Sequence, residues 1–266
     1  MQIYYPFQNS AIMSLSNRGK ILVGIAIIAI VSVSVPLAAL AVTNANSVRF
    51  TLLYNAGVMI EAQGVRVYVD PIDLSADYEA LPADIILVTH PHGDHYQSAV
   101  IEMLQKEGTV NIFPENMSDA IALHDGVGVN PEDEVQVGPV QITAFYMYTF
   151  PVGEYPASHP YEANWTSYLI TVGGVTFFHA GDSKNIDEYT QLTGLIDVAL
   201  LPLGPGCQTM ANEEIVDALD VIQPRFFVPI HYAEGANHDF ATTYGPLITS
   251  CLLVNLEYYQ SYLFPP

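Results

Sequence analysis

Ile85-Ile86-Leu87-Val88-Thr89, followed at once by His90-Pro91-His92-Gly93-Asp94-His95, is the stretch on which the fold turns. The β-branched apolar run is short and bounded by polar residues, as in a buried strand. Three imidazoles and one carboxylate then fall within six residues. Pro91 biases His90 away from helical dihedrals. In extended chain, residues two apart point to the same side, so His90 and His92 can converge on one ion. Gly93 lets the backbone turn sharply, which aims Asp94 and His95 at a second position nearby. A polar loop that merely happens to be His-rich would not supply two adjacent coordination positions at the end of a rigid strand.

This hexad resembles the signature of the metallo-β-lactamase superfamily, His-x-His-x-Asp-His after a strand. Four further stretches resemble that family in the same order along the chain: Tyr68-Val69-Asp70-Pro71, Phe178-His179-Ala180-Gly181-Asp182, Leu201-Pro202-Leu203-Gly204 with Thr209-Met210, and Pro229-Ile230-His231-Tyr232. The last two are similar to the branch of metal-dependent hydrolases around ascorbate-6-phosphate lactonase. The likeness runs from about Val48 to about Tyr232 and speaks to fold and metal chemistry more than to substrate.

At 266 residues, half of them apolar, the chain can bury a large core. Seven Lys and Arg stand against 28 Asp and Glu, a formal charge of -21. That balance argues against nucleic acid, whose binding depends on neutralising phosphates. Cys207 and Cys251 are too few for a disulfide scaffold; one bridge and two free thiols are both open readings.

Residues 1–20 form a polar segment that ends with Arg18 and Lys20, and residues 21–42 carry no charge. That length spans a bilayer as a helix, and the basic pair favours an inside N-terminus. Small-residue sequences at Ala39-Leu40-Ala41 and Thr43-Asn44-Ala45 leave a cleaved signal as the alternative. Either way the expected location is outside the cytoplasm, membrane-anchored or secreted. Residues 43–47 read as a linker and 48–266 as one hydrolase domain.

Within that domain the expected strands are Val48–Leu53, Val58–Ala62, Val65–Val69, Val110–Phe113, Val135–Val137, Val140–Met147, Tyr168–Val172, Val175–Phe178, Val198–Leu201 and Phe226–Ile230. Helices are expected over Ser98–Lys106, Glu115–His124 and Asn212–Ile222. Tyr146–Tyr161 reads as a Tyr- and Pro-rich loop near the pocket. His124 reads as a surface or helix-end histidine, His179 as a support for its turn, and His238 as part of a mobile loop. From Asp239 onward the apolar, tyrosine-rich tail is expected to be helical.

The resemblance implies an α/β fold, a four-layer αββα sandwich, preceded by the transmembrane or signal helix. It also implies the ligands. Site one would be His90, His92 and His159; site two would be Asp94, His95 and His231, with Asp182 shared. Asp70 would hold the imidazoles from behind. With no thiolate among these ligands, two divalent ions are expected, zinc first, with manganese or iron as alternatives. The implied activity is hydrolysis of an ester or lactone bond in a small molecule by a hydroxide held between the ions, with Asp94 or the metal itself handling the proton. Two other readings stay open: a phosphodiesterase acting on lipid head groups, against which the shortage of Lys and Arg counts, and a non-enzymatic metal-binding surface protein.

Overall fold

The computed structural model describes residues 2–5 and 47–266, apart from residue 205. In chain order the strands and helices are β1 (Gln2–Tyr5), β2 (Val48–Leu52), β3 (Val58–Ala62), β4 (Val65–Val69), β5 (Ile85–Leu87), α1 (Ser98–Leu104), β6 (Val110–Pro114), α2 (Ser118–Leu123), β7 (Val127–Val129), β8 (Glu134–Val137), β9 (Val140–Tyr146), β10 (Thr166–Val172), β11 (Val175–His179), β12 (Val198–Pro202), α3 (Asn212–Ile222), β13 (Phe226–Ile230), α4 (Ala236–Thr243), β14 (Leu252–Leu253) and β15 (Ser261–Phe264). One mixed sheet has the order β15-β2-β3-β4-β5-β6-β7 and the other β1-β8-β9-β10-β11-β12-β13-β14.

The period-two alternation of the strands sorts side chains into layers. Val58, Ile60, Val67, Val69, Ile85 and Leu87 point inward and share one core with Ile142, Ala144, Ile170 and Phe177 of the other sheet. Met59, Tyr68, Ile86 and Val88, the alternate residues of the same strands, pack outward against Val100, Ile101 and Leu104 of α1 and Ala120 of α2. On the far side, Ile215, Ala218, Leu219 and Ile222 of α3 join the main core. Helix, sheet, sheet, helix is thus the layering, and it matches the expected αββα sandwich. All five residues of β12 are buried, as expected for a parallel strand covered on both faces.

Several expectations are corrected. The tail is helical only at its start, through Thr243 and a single 3₁₀ turn at Gly245–Leu247, and Ser261–Phe264 instead pairs antiparallel with Val48–Leu52. Its alternation is that of an edge strand: Leu263 is exposed and Phe264 fully buried, with the Phe264 ring 5.8 Å from Phe50 and 5.1 Å from Phe226. The stretch around His238 is helix α4, not a loop. Helix α2 starts at Ser118, not Glu115, because Met117 N–H closes a turn on the Pro114 carbonyl.

The apolar stretch 21–42 lies outside the described residues. Among the described residues, no helix is long and apolar enough to cross a membrane. Gln2–Tyr5 pairs in parallel with Glu134–Val137.

Candidate metal centre

The centre is assembled at strand ends. Asp70 ends β4 in a left-handed conformation, φ 46°, which Asp tolerates better than most residues. Its backbone N–H bonds the Leu87 carbonyl at 2.9 Å, so β4 and β5 terminate together. Beyond β5 the hexad closes on itself: His95 and Tyr96 N–H both donate to the His92 carbonyl. At the end of β11, Gly181 sits at φ +56°, where an added Cβ would come within 2.5 Å of Met147 Sδ and 3.1 Å of Thr89 Cβ. Only glycine allows that turn, and the turn delivers Asp182. At the end of β13, His231 is also left-handed, φ 52°, and its N–H donates to the Asn55 carbonyl.

All seven expected residues converge. His90 Nε2 lies 3.1 Å from His92 Nδ1 and 3.2 Å from His159 Nε2. Nitrogens ~2.0–2.1 Å from one tetrahedral zinc would stand roughly 3.3–3.4 Å apart, so these three nitrogens are close enough to share an ion. The second group is Asp94, His95 and His231, with His231 Nε2 3.4 Å from Asp94 Oδ2. Asp182 lies between the groups. Its Oδ1 is 3.1 Å from His95 Nε2 and 3.4 Å from His231 Nε2, and its Oδ2 is 3.5 Å from His159 Nε2.

Hydrogen bonds behind the imidazoles fix their tautomers. Asp70 Oδ2 accepts from Thr89 Oγ1 at 2.6 Å and His95 Nδ1 at 2.7 Å, and Oδ1 accepts from Thr89 N–H at 2.7 Å. Thr89 Oγ1, having donated to Asp70, accepts from His90 Nδ1 at 2.9 Å. Ser158 Oγ donates to the Cys207 carbonyl and accepts from His159 Nδ1. The network therefore directs the Nε2 atoms of His90, His95 and His159 at the centre.

Electrostatics favour a cation here. Burial pushes His90 well below the ordinary imidazole range, with neighbouring His95, His159 and His92 adding to it. Burial also takes His159 down to about 4, Asp182 partly opposing. Both are neutral donors at physiological pH. His95 behaves oppositely: burial lowers it, but Asp182 and Asp70 on either side raise it to about 10. A proton there does what a metal cation would do between two buried carboxylates. His95 Nε2 and both Asp182 carboxylate oxygens are nevertheless buried without a hydrogen-bond partner. Such atoms are normally satisfied, and a bound divalent ion would satisfy them. The residues present fit the group.

His179 stands apart, as expected of a turn support. Its Nε2–H donates to the Ala56 carbonyl at 2.8 Å and its Nδ1 accepts from Gly181 N–H. His238 is exposed and paired with Glu257 at 2.6 Å. His124 does end a helix but is buried, not on the surface, with Tyr96 and Ser98 hydroxyls at its Nε2.

Three contributors were not foreseen from sequence. Trp165 sets its ring 5.3 Å from His90, tilted, and 5.1 Å from His92, edge-on. Asn55 binds the Asp94 carbonyl through Nδ2. Cys207 lies with Asp182 and His231 in a third donor group. The single tryptophan just ahead of a strand was a usable signal; Asn55 and Cys207 gave none. Both cysteines are free thiols.

A cavity of about 520 Å³ opens beside His231, walled by Asn55, Leu203, Gly204, Tyr232, Ala233 and Asp239, with no Lys or Arg among the described residues of its lining. One of about 290 Å³ lies on the other flank, between Pro91, Tyr96, Met117 and Trp165. A larger cavity of about 670 Å³, lined by Arg49, Arg66 and Lys106, contains none of the donors.

The family described as the Beta-lactamase superfamily domain matches residues 49–231. The chain is 31% identical to a UPF0173 metal-dependent hydrolase of Thermococcus kodakarensis, covering 70% of this chain and 84% of the relative. It is 32% identical to another from Pyrococcus furiosus, with 70% and 84% covered. The structure of Igni18, a metallo hydrolase of the archaeon Ignicoccus hospitalis, superposes with a TM-score of 0.67 at 21% identity, covering 82% of this chain and 98% of that one. That last likeness speaks to fold.

Proposed function

The chain belongs to the metallo-β-lactamase superfamily, as a metal-dependent hydrolase, and from that premise we propose that it hydrolyses an uncharged ester or lactone at a centre for two divalent ions. His90, His92 and His159 would hold one ion, Asp94, His95 and His231 the other, and Asp182 would serve both. Ions bound there supply Lewis acidity and an activated water at neutral pH.

The chain's own residues divide the remaining work. Asp70, Thr89 and Ser158 hold three imidazoles in the donor tautomer. Trp165 packs against His90 and His92, and with Tyr96 and Met117 it gives the adjoining cavity an apolar wall opposite Asn116 and Asp119. Asp94 is the donor carboxylate that opens to solvent, its side chain 45% exposed. The His231 hydrogen bond holds its carboxyl far below the usual carboxylate range, against burial. Asp94 is thus ionised at neutral pH, and its solvent-facing Oδ2 would accept a hydrogen bond from the reacting water and orient it.

The observation that carries the substrate class is the cavity beside His231. Among the described residues its lining has no Lys or Arg side chain to recognise phosphate or carboxylate, and Lys184 is committed to Glu214 at 2.6 Å. A neutral acyl substrate suits that lining. The test is a panel of lactones, carboxylic esters and phosphodiesters, assayed with metal-loaded and chelator-treated protein. Chelator-sensitive ester or lactone turnover is expected. Turnover of phosphodiesters alone would move the assignment to phosphodiesterase, and inertness of the fully loaded protein would favour a binding protein.

A further inference from the structure

The third donor group has a sulfur in it. Cys207 Sγ, a carboxylate oxygen of Asp182 and a ring nitrogen of His231 all lie within 4.8 Å of one another. Asp182 is fully buried and neither of its oxygens has a hydrogen-bond partner, so an unsatisfied carboxylate and a thiol face the same space. The loop that carries the thiol is also held in place. Thr209 Oγ1 bonds the carbonyls of Gly204 and Gly206, closing the loop on itself. Gln208 Oε1 accepts from Ser158 N–H at 2.8 Å, and its amide nitrogen donates to the Pro156 carbonyl at 3.1 Å. The Cys207 carbonyl takes the Ser158 hydroxyl that also orients His159.

We propose that Cys207 is a metal ligand, its thiolate joining Asp182 and His231 on the second ion. This rests on the reading of a two-ion centre given above. On coordination the thiol proton leaves to solvent and a sulfur–metal bond forms; no oxidant or reductant is involved. A sulfur donor biases the second position toward a thiophilic ion such as zinc over manganese. It also makes that position sensitive to thiol modification, because Cys207 is exposed.

The full-length protein, loaded with cobalt(II) in place of its native ions, should show sulfur-to-cobalt charge-transfer absorption in the near ultraviolet. Cys207→Ser should lose that band while retaining the hexad-bound ion. In parallel, zinc should slow iodoacetamide labelling of Cys207 by roughly tenfold, since the thiolate is both nucleophile and ligand, and leave Cys251 unchanged. Absence of the band from cobalt-loaded wild type, or equal labelling of Cys207 with and without zinc, overturns the proposal while two bound ions leave the centre standing. A protein that binds no ion at all removes the centre and this ligand together.

Discussion

Asp70 touches no substrate, yet the structure makes it the residue on which the centre depends most steeply. Three donors converge on its two oxygens: Thr89 N–H, Thr89 Oγ1 and His95 Nδ1, at 2.7, 2.6 and 2.7 Å. All three residues are fully buried. Asp70→Ala leaves those donors without an acceptor and removes the partner of a buried ion pair, a loss of about 3–5 kcal/mol. For a domain of this size each kcal/mol moves the unfolding midpoint by roughly 2–4 °C, so roughly 6–20 °C is expected. Asp70→Asn separates shape from charge. An amide offers one acceptor oxygen and one donor nitrogen, so it cannot accept all three bonds in either orientation. If the nitrogen faces His95, Nδ1 must become the acceptor and the ring proton moves to Nε2, into the centre. We therefore expect Asn to cost less stability than Ala but to weaken metal binding by roughly 10–100-fold. Thermal unfolding in chelator gives the first quantity, and metal titration followed by elemental analysis gives the second. An Asp70→Asn protein that binds both ions as tightly as wild type would refute the argument that His95 is oriented through this carboxylate.

Asp182→Ala should take the protein below about one ion per chain, whereas His231→Ala should keep about one, because Asp182 faces both donor groups and His231 only one; equal losses in elemental analysis would mean that Asp182 does not join them. His124, lowered by burial, has a folded pKa beneath its unfolded value of about 6.5. The unfolded chain therefore takes up a proton first, and stability is lost as pH falls below that value; His124→Gln should flatten this part of the urea-midpoint profile between neutral and mildly acidic pH, and an unchanged profile would contradict it. At the N-terminus, protease added to intact cells should reach the domain while the protein stays in the membrane fraction. A soluble product starting near Val42 or Asn46 would show cleavage. Full protection would reverse the topology, and retention with residues 2–5 inside would preclude their pairing with β8.

Local sequence was enough wherever the physics is local. The alternation in Val65–Val69 and the apolar run of Ile85–Leu87 specify strands because each residue's face follows from its parity. The hexad announces two clustered donor sets because Pro91 and Gly93 shape it without outside help. The four-layer fold followed from those strands and from the family resemblance together. The tail misled because Tyr262 and Phe264 are as apolar as helix residues; only the open edge of β2 makes them a strand. For His124 the helix end is legible in the sequence but its burial is not, because burial of one polar side chain depends on what packs over it, here Tyr96 and Phe113. The closure of the centre was likewise a tertiary matter. His159 comes to His90 from 69 residues away and His231 to Asp94 from 137, distances that only the packing of two sheets can bridge. Cys207 is the extreme case: nothing in Gly206-Cys207-Gln208 points to a metal. Its thiol gains meaning because the loop after β12 folds back onto Ser158, setting sulfur beside a carboxylate whose own neighbours are fixed by a different strand.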